Sequence, residues 1–181
     1  SLSGNGESTL SLQFLPVVQL VARLRHKYRL NKEVKTILIT NGSEIERKDI
    51  QQALELLNNL NGEVWFKLDS ASATGRQIIN QVNLSSKSVK TRLLLSAKLC
   101  KTYIQTCIFR LHNKDPNIEE MNKYIEFVGE VKEVIAGVFL YSTARNPALP
   151  EGESVSSVSK DFLGQVAQCI HDLGIVVKYY S

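Results

Sequence analysis

Apolar residues along this chain alternate between two spacings. Over residues 12–28 they fall at Phe14, Val17, Val18, Val21 and Leu24, the three-and-four rhythm that lines one face of a helix. Residues 34–40 then form a short β-branched run ended by Asn41-Gly42-Ser43, with the length and make-up of a buried strand. Helical spacing returns over 46–59 through Ile50, Ala53, Leu54 and Leu57, and Asn61-Gly62 stops it. Residues 63–68 predict the next strand, which delivers Asp69 at its carboxyl end.

The same alternation runs to the end of the chain. Helical patterns over 76–82 and 87–99 are separated by a polar break at 83–86, and a strand over 103–111 leads into a polar loop at 112–116. A helix over 118–131 places Met121, Ile125 and Val128 on one face, and a strand over 134–141 follows. Residues 142–157, with Arg145, Pro147, Pro150 and Gly152, form the longest irregular segment, a length that in compact domains is often functional. A last helix over 159–173 ends at Gly174 before a closing strand over 175–180. Strands that alternate with helices in this way predict an α/β fold built on a parallel sheet.

A length of 181 residues fits one domain, 1–181, able to bury a sizeable core. With 43% hydrophobic and 22% charged residues the chain is globular rather than disordered. The formal net charge of +4 is spread along the chain, so nucleic acid is not indicated as a partner. No apolar run approaches the roughly 18 residues of a membrane span, and no secretory leader is seen. Cys100, Cys107 and Cys169 show no metal-ligand spacing and predict reduced core thiols, which fits a cytoplasmic protein. Ser-His-Asp, H-E-x-x-H and P-loop patterns are all missing.

Candidate chemistry gathers at the carboxyl ends of the strands, where parallel α/β folds bind ligands. Those ends are Gly6-Glu7, Thr40 through Ser43, Asp69-Ser70-Ala71, Arg110 with His112, and Tyr141-Ser142 with Arg145. In the stretch Leu2-Ser-Gly-Asn-Gly-Glu-Ser-Thr9, two glycines free the backbone and Glu7 is the loop's one charge, placed to receive an ammonium group. Structural readings stand beside these: Ser8 or Thr9 capping the following helix, Asn41-Gly42 as an ordinary turn, and Asp69 as a cap. His112 and the charged residues between 44 and 49 read as solvated, and Trp65 reads as core.

Three of these stretches, Leu2 to Thr9 with Phe14, Ile37-Leu-Ile-Thr-Asn-Gly42, and Trp65-Phe-Lys-Leu-Asp69, resemble in order and spacing the core of radical S-adenosylmethionine enzymes. The segment Gly137-Val-Phe-Leu-Tyr-Ser-Thr-Ala-Arg145 with Pro147 resembles one bacterial branch of that superfamily. The resemblance implies a partial, TIM-like (β/α) barrel lacking its first strand and cluster loop, so that this chain is an N-terminally truncated core beginning at the second strand. Asn5-Gly6-Glu7 then stands where the family has the Gly-Gly-Glu that contacts the amino group of the S-adenosylmethionine methionyl moiety. Asn5 replaces the first glycine and Ser8 the usual proline.

By the same resemblance Thr40 and Asn41 match the polar end of the family's third strand. Asp69 matches the position that holds the ribose hydroxyls, and residues within 105–110 and 139–141 line the adenine. The family's Cys-x3-Cys-x2-Cys, which binds a [4Fe-4S] cluster, has no counterpart here, so metal ligands and catalytic residues are absent from this chain. The implied parent is an iron-sulfur oxidoreductase that generates a 5′-deoxyadenosyl radical, of which this part alone is expected to be inactive. An exposed sheet edge is expected to favour self-association. The competing reading is a non-catalytic α/β domain that binds a nucleotide or a protein partner.

Overall fold

The β-branched run after Val34 forms strand β1 (Thr36–Thr40). Ahead of it lie a single 3-10 turn (Ser8–Leu10) and helix α1 (Phe14–Lys27). Then follow α2 (Lys48–Asn59), β2 (Gly62–Lys67), α3 (Ala73–Asn80), α4 (Ser86–Leu99), β3 (Thr102–Cys107) and β4 (Phe109–Leu111). The chain ends with α5 (Ile118–Glu130), β5 (Val138–Tyr141), β6 (Val155–Ser157), α6 (Lys160–His171) and β7 (Val177–Tyr180). The computed structural model describes residues 1–4, 6–30, 34–143 and 154–180, so Asn5, Arg145, Pro147, Pro150 and Gly152 lie outside the described residues. The five strands of the main sheet follow the order β1-β2-β3-β5-β7, the mostly parallel α/β arrangement of part of a (β/α) barrel.

Two compact units make up the chain, Ser1–Lys67 with Lys87–Tyr103, and Leu68–Ser86 with Ile104–Ser181. In the first, Leu2 forms a parallel bridge to Leu38: its N–H donates to the Ile37 carbonyl at 2.6 Å and its own carbonyl accepts from Ile39 at 3.2 Å. The strand fragment expected before the glycine turn is therefore present. Helix α2 buries Ile50, Ala53, Leu54 and Leu57, as its spacing predicts. Helix α1 does not follow its predicted stripe, because Val17 and Leu24 are 42% and 41% exposed while Phe14, Val18 and Arg25 are buried. With 3.6 residues per turn, Val18 lies about 100° around the helix from Val17, and only the Phe14–Val18–Arg25 line faces the core. Arg25 is accommodated there by donating to Thr36 Oγ1 at 3.4 Å.

At the start of β2 the buried Glu63 carboxylate meets Lys35 Nζ at 2.5 Å and Lys101 Nζ at 3.8 Å. A buried carboxylate is tolerated when cations take up its charge. Nearby, Ser96 and Thr102 share a buried hydroxyl hydrogen bond of 2.8 Å that ties α4 to β3.

In the second unit the core is drawn from β3, β5, α5 and α6, including Ile104, Tyr124, Val128, Val138, Leu140, Leu163 and Ile170. The strand predicted over 103–111 breaks at Ile108. Ser142 Oγ donates to the Ile108 carbonyl at 2.8 Å and accepts from Val158 N at 3.0 Å, so a side-chain hydroxyl takes the place of ladder partners. The chain then leaves the main sheet, and β4 pairs antiparallel with β6, matching Arg110 with Ser156. A strand thus lies inside the segment that reads as irregular in sequence. The strand predicted from 134 is also shorter, since Val134 N donates back to the Val131 carbonyl at 3.1 Å in a turn. Only Cys100 is a buried thiol; Cys107 is half-buried and Cys169 exposed, contrary to the expectation of three core thiols.

Candidate functional site

Glu7 is the hub of the first unit's polar rim. Its Oε1 accepts from Thr9 N at 3.1 Å, Thr9 Oγ1 at 2.6 Å and Thr40 Oγ1 at 2.8 Å, and its Oε2 accepts from Asn41 N at 2.7 Å. Glu7, not Ser8 or Thr9, is therefore the cap of the 3-10 turn, and Thr9 is a buried donor to it. Thr40 is buried and uses its hydroxyl twice, donating to Glu7 and accepting from Gly42 N at 3.0 Å. Asn41 is exposed, and its Oδ1 closes a turn by accepting from Ser43 N at 2.9 Å. Gly42 has φ +71°, and a Cβ at that position would collide with the Phe66 ring, so the Asn-Gly turn admits no larger residue.

The loop is braced from α2's start. Arg47 Nη1 donates to the Thr9 carbonyl at 3.2 Å, while its Nη2 reaches Asp49 at 2.6 Å and its Nη1 reaches Glu44 at 3.4 Å. Glu46 and Lys48 are exposed, as a solvated face would be, whereas Arg47, held by Glu44 and Asp49, braces the Glu7 turn through Thr9. The hydrogen bond from Arg47 also holds the Asp49 carboxyl below its ordinary range.

Asp69 belongs to the second unit. Its Oδ1 accepts from Cys107 N at 3.0 Å and its Oδ2 from Asn80 Nδ2 at 3.3 Å. It does not cap α3; Ser72 does, accepting from Gly75 N at 2.9 Å. Asp69 instead lines a cavity of about 430 Å³ together with Thr74, Ile78, Cys107, Ile108 and Phe109. Tyr141 stands opposite Cys107 in the β3–β5 register, and burial, with Cys107 and Asp69 close by, pushes its phenol up.

Residues with no motif around them organise the loop after Asp69. Glu120, from α5, accepts from Ser70 Oγ at 2.5 Å and Ser72 N at 3.2 Å through Oε1, and from Ser72 Oγ at 2.5 Å through Oε2. Burial pushes this carboxyl up, but the hydrogen bonds from Ser70 and Ser72, aided by Lys123, outweigh it and hold Glu120 below its ordinary value. The buried Arg76 donates through Nη1 to the carbonyls of Ala71 at 2.6 Å and Ser70 at 3.3 Å, and through Nη2 to the Leu84 carbonyl at 2.8 Å. Ser72 three residues before Gly75 was a visible helix-cap pattern, whereas Glu120 lies 50 positions from Ser70 and carries no local signal.

The remaining candidates are quickly placed. His112 is exposed at φ +50°, as a solvated loop residue would be. Trp65 is half-buried rather than core, on the strand face it shares with Ile39. Arg110 pairs with Asp115 at 3.2 Å and donates to the Asn113 carbonyl at 2.6 Å.

Among the described residues no group of histidine, cysteine or acidic side chains is arranged to hold a metal ion. Cys100 precedes β3, Cys107 is the last residue of that strand and Cys169 is exposed on α6, so no two of them share a loop. Three thiolates on one compact loop are what a [4Fe-4S] cluster needs, so this chain's cysteines do not fit one. Among the described residues, no helix is long and apolar enough to cross a membrane.

No protein-family model matches the sequence, and no curated protein is significantly similar to it. Solved structures do match. A domain of pyruvate-formate lyase-activating enzyme from Bacteroides vulgatus superposes with a TM-score of 0.61 at 11% identity, covering 94% of this chain and 96% of that one. SuiB from Streptococcus suis, bound to S-adenosylmethionine, gives 0.66 at 12% identity over 97% of this chain. A radical S-adenosylmethionine methyltransferase from Sphaerobacter thermophilus gives 0.54 at 10% identity over 79% of this chain. The chain spans only 37% of SuiB and 40% of the methyltransferase. The chain shares the fold of these structures, one of them a radical S-adenosylmethionine methyltransferase, and a partial (β/α) barrel is what the sequence resemblance implies.

Proposed function

We propose that this chain is the S-adenosylmethionine-binding part of a radical S-adenosylmethionine enzyme. In this reading residues 1–181 work as one cytoplasmic domain. Gly6, Glu7, Thr40 and Asn41 receive the cofactor's methionyl end, and Asn5 is assigned to it by the sequence resemblance alone. Asp69 receives its ribose hydroxyls.

The observation that carries the reading is the state of Glu7. A carboxylate offers about four acceptor directions, and on Glu7 three donors meet Oε1 while a single one meets Oε2. The group is therefore fixed in orientation and keeps acceptor capacity on Oε2 for an ammonium, the strong charge-assisted kind of hydrogen bond. Thr40 spends its one hydroxyl proton on Glu7 and accepts from Gly42 N, so its part is to hold Glu7. Asp69 offers two anchored oxygens at the edge of a cavity large enough for a nucleoside.

S-adenosylmethionine supplies a 5′-deoxyadenosyl radical when an iron-sulfur cluster reduces it, and the ligands for such a cluster are not provided by Cys100, Cys107 or Cys169. The work assigned to this chain is binding and orientation, and alone it is expected to be inactive in radical chemistry.

Calorimetric titration of S-adenosylmethionine into the wild-type chain and into Glu7→Ala tests the assignment. Uptake by the wild type with loss in the variant supports it, and equal heats from both would remove Glu7 from the site. The Asp69 cavity also favours a second reading, a non-catalytic nucleotide-binding domain. Uptake of adenosine triphosphate without uptake of S-adenosylmethionine would select that reading.

A further inference from the structure

We propose that Glu120 is a positioning residue for Asp69, clamping residues 70–72 so that the Asp69 carboxylate is held at the cavity. The proposal rests on the reading of Asp69 as the group that receives the cofactor's ribose. Three donors in the segment after Asp69, Ser70 Oγ, Ser72 N and Ser72 Oγ, all end on the two oxygens of Glu120. The carbonyls of Ser70 and Ala71 end on the guanidinium of Arg76. One anion thus collects three of the segment's donors and one guanidinium two of its carbonyls, which leaves the backbone following Asp69 little freedom to rotate. Asp69 itself is held at its other side by the Cys107 amide.

Gly75 provides an independent sign of the same clamp. It lies inside α3, where glycine weakens a helix. A Cβ there would collide with Ser70 Oγ and stand 2.7 Å from Glu120 Oε1, so the helix gives up propensity at the spot the carboxylate occupies. Replacement of Glu120 by glutamine keeps its volume but puts an amide donor where a hydroxyl or amide now donates. That mismatch is confined to the clamp.

The test is a double-mutant cycle on the intact chain, titrating S-adenosylmethionine into wild type, Glu120→Gln, Asp69→Asn and the double variant. Glu120→Gln is expected to weaken binding about tenfold when Asp69 is present, a size usual for coupled neighbours, and less than about twofold when it is not. An equal loss in both backgrounds would overturn the proposal. Nuclear magnetic resonance supplies a readout that needs no ligand: Glu120→Gln and Gly75→Ala should each shift the Asp69 carboxyl carbon and the Cys107 amide. Unchanged signals in both variants would also overturn it. Should the wild-type chain take up no S-adenosylmethionine, the cofactor reading fails, and the resonance shifts alone decide the role of Glu120. If Glu120→Gln does not fold, Ser70→Ala removes one of the clamp's donors and enters the same cycle.

Discussion

The hydroxyl of Thr40 donates to Glu7 Oε1 at 2.8 Å, joining the end of β1 to a turn 33 residues earlier in the chain. Thr40 Oγ1 also accepts from Gly42 N, so one buried group orients the carboxylate and closes the following turn. Thr40→Val keeps the shape and β-branching but takes the acceptor from Gly42 N and removes one of the four donors to Glu7. A loss of about 1–3 kcal/mol is expected, the usual cost of unsatisfied buried groups, measured as a lower urea midpoint. Binding of S-adenosylmethionine should weaken along with it. Thr40→Ser, which restores the hydroxyl, should recover most of both.

Tyr124 and Thr106 form a second buried pair, with their hydroxyls 2.7 Å apart and Thr106 also donating to the Leu68 carbonyl at 2.8 Å. Burial pushes the Tyr124 phenol well up, so it stays protonated throughout the working range. Tyr124→Phe should cost about 1 kcal/mol, the net worth of one such bond. The double variant with Thr106→Val should cost less than the sum of the two single changes, since the pair shares one interaction. Equilibrium denaturation of the four proteins checks this.

Acid sensitivity follows from Glu120. Its ordinary carboxyl value is 4.5, and the folded value lies below that. The folded chain therefore takes up this proton later on acidification than the unfolded chain does. The stability that the carboxylate contributes is complete above the unfolded value and is lost as pH falls through the folded one. Denaturation midpoints measured from about pH 6 down to pH 3 should decline more steeply for wild type than for Glu120→Gln. Parallel curves would mean that Glu120 carries none of the acid limb.

Thiol reactivity should rank by burial. Cys169 is exposed, whereas Cys100 is buried and its thiol is pushed up to about 11. Because the thiolate is the nucleophile, a maleimide at neutral pH should label Cys169 first and Cys100 only after unfolding. Peptide mass spectrometry of a labelling time course reads the order directly.

Much of this architecture is contained in local periodicity. The spacing of Ile50, Ala53, Leu54 and Leu57 determines the buried face of α2, and the β-branched run before Asn41-Gly42 determines β1, because a residue's face depends only on its place in a regular repeat. The stretch from Leu2 to Thr9 likewise carries the turn and its carboxylate in its own residues. What the periodicity could not decide is which of two adjacent apolar lines faces inward. On α1 both Phe14–Val18 and Val17–Leu24 are apolar, and only the elements packed against the helix choose the line that ends in Arg25. The break at Ile108 is set by Ser142, 34 positions away. The anchoring of Glu7 by Thr40 and of the Asp69 loop by Glu120 also depends on strands and helices meeting in register. Hydrogen-bond partners distant in sequence leave no periodic trace, so the residue types at the candidate site were legible in the chain and their orientation was decided by tertiary structure.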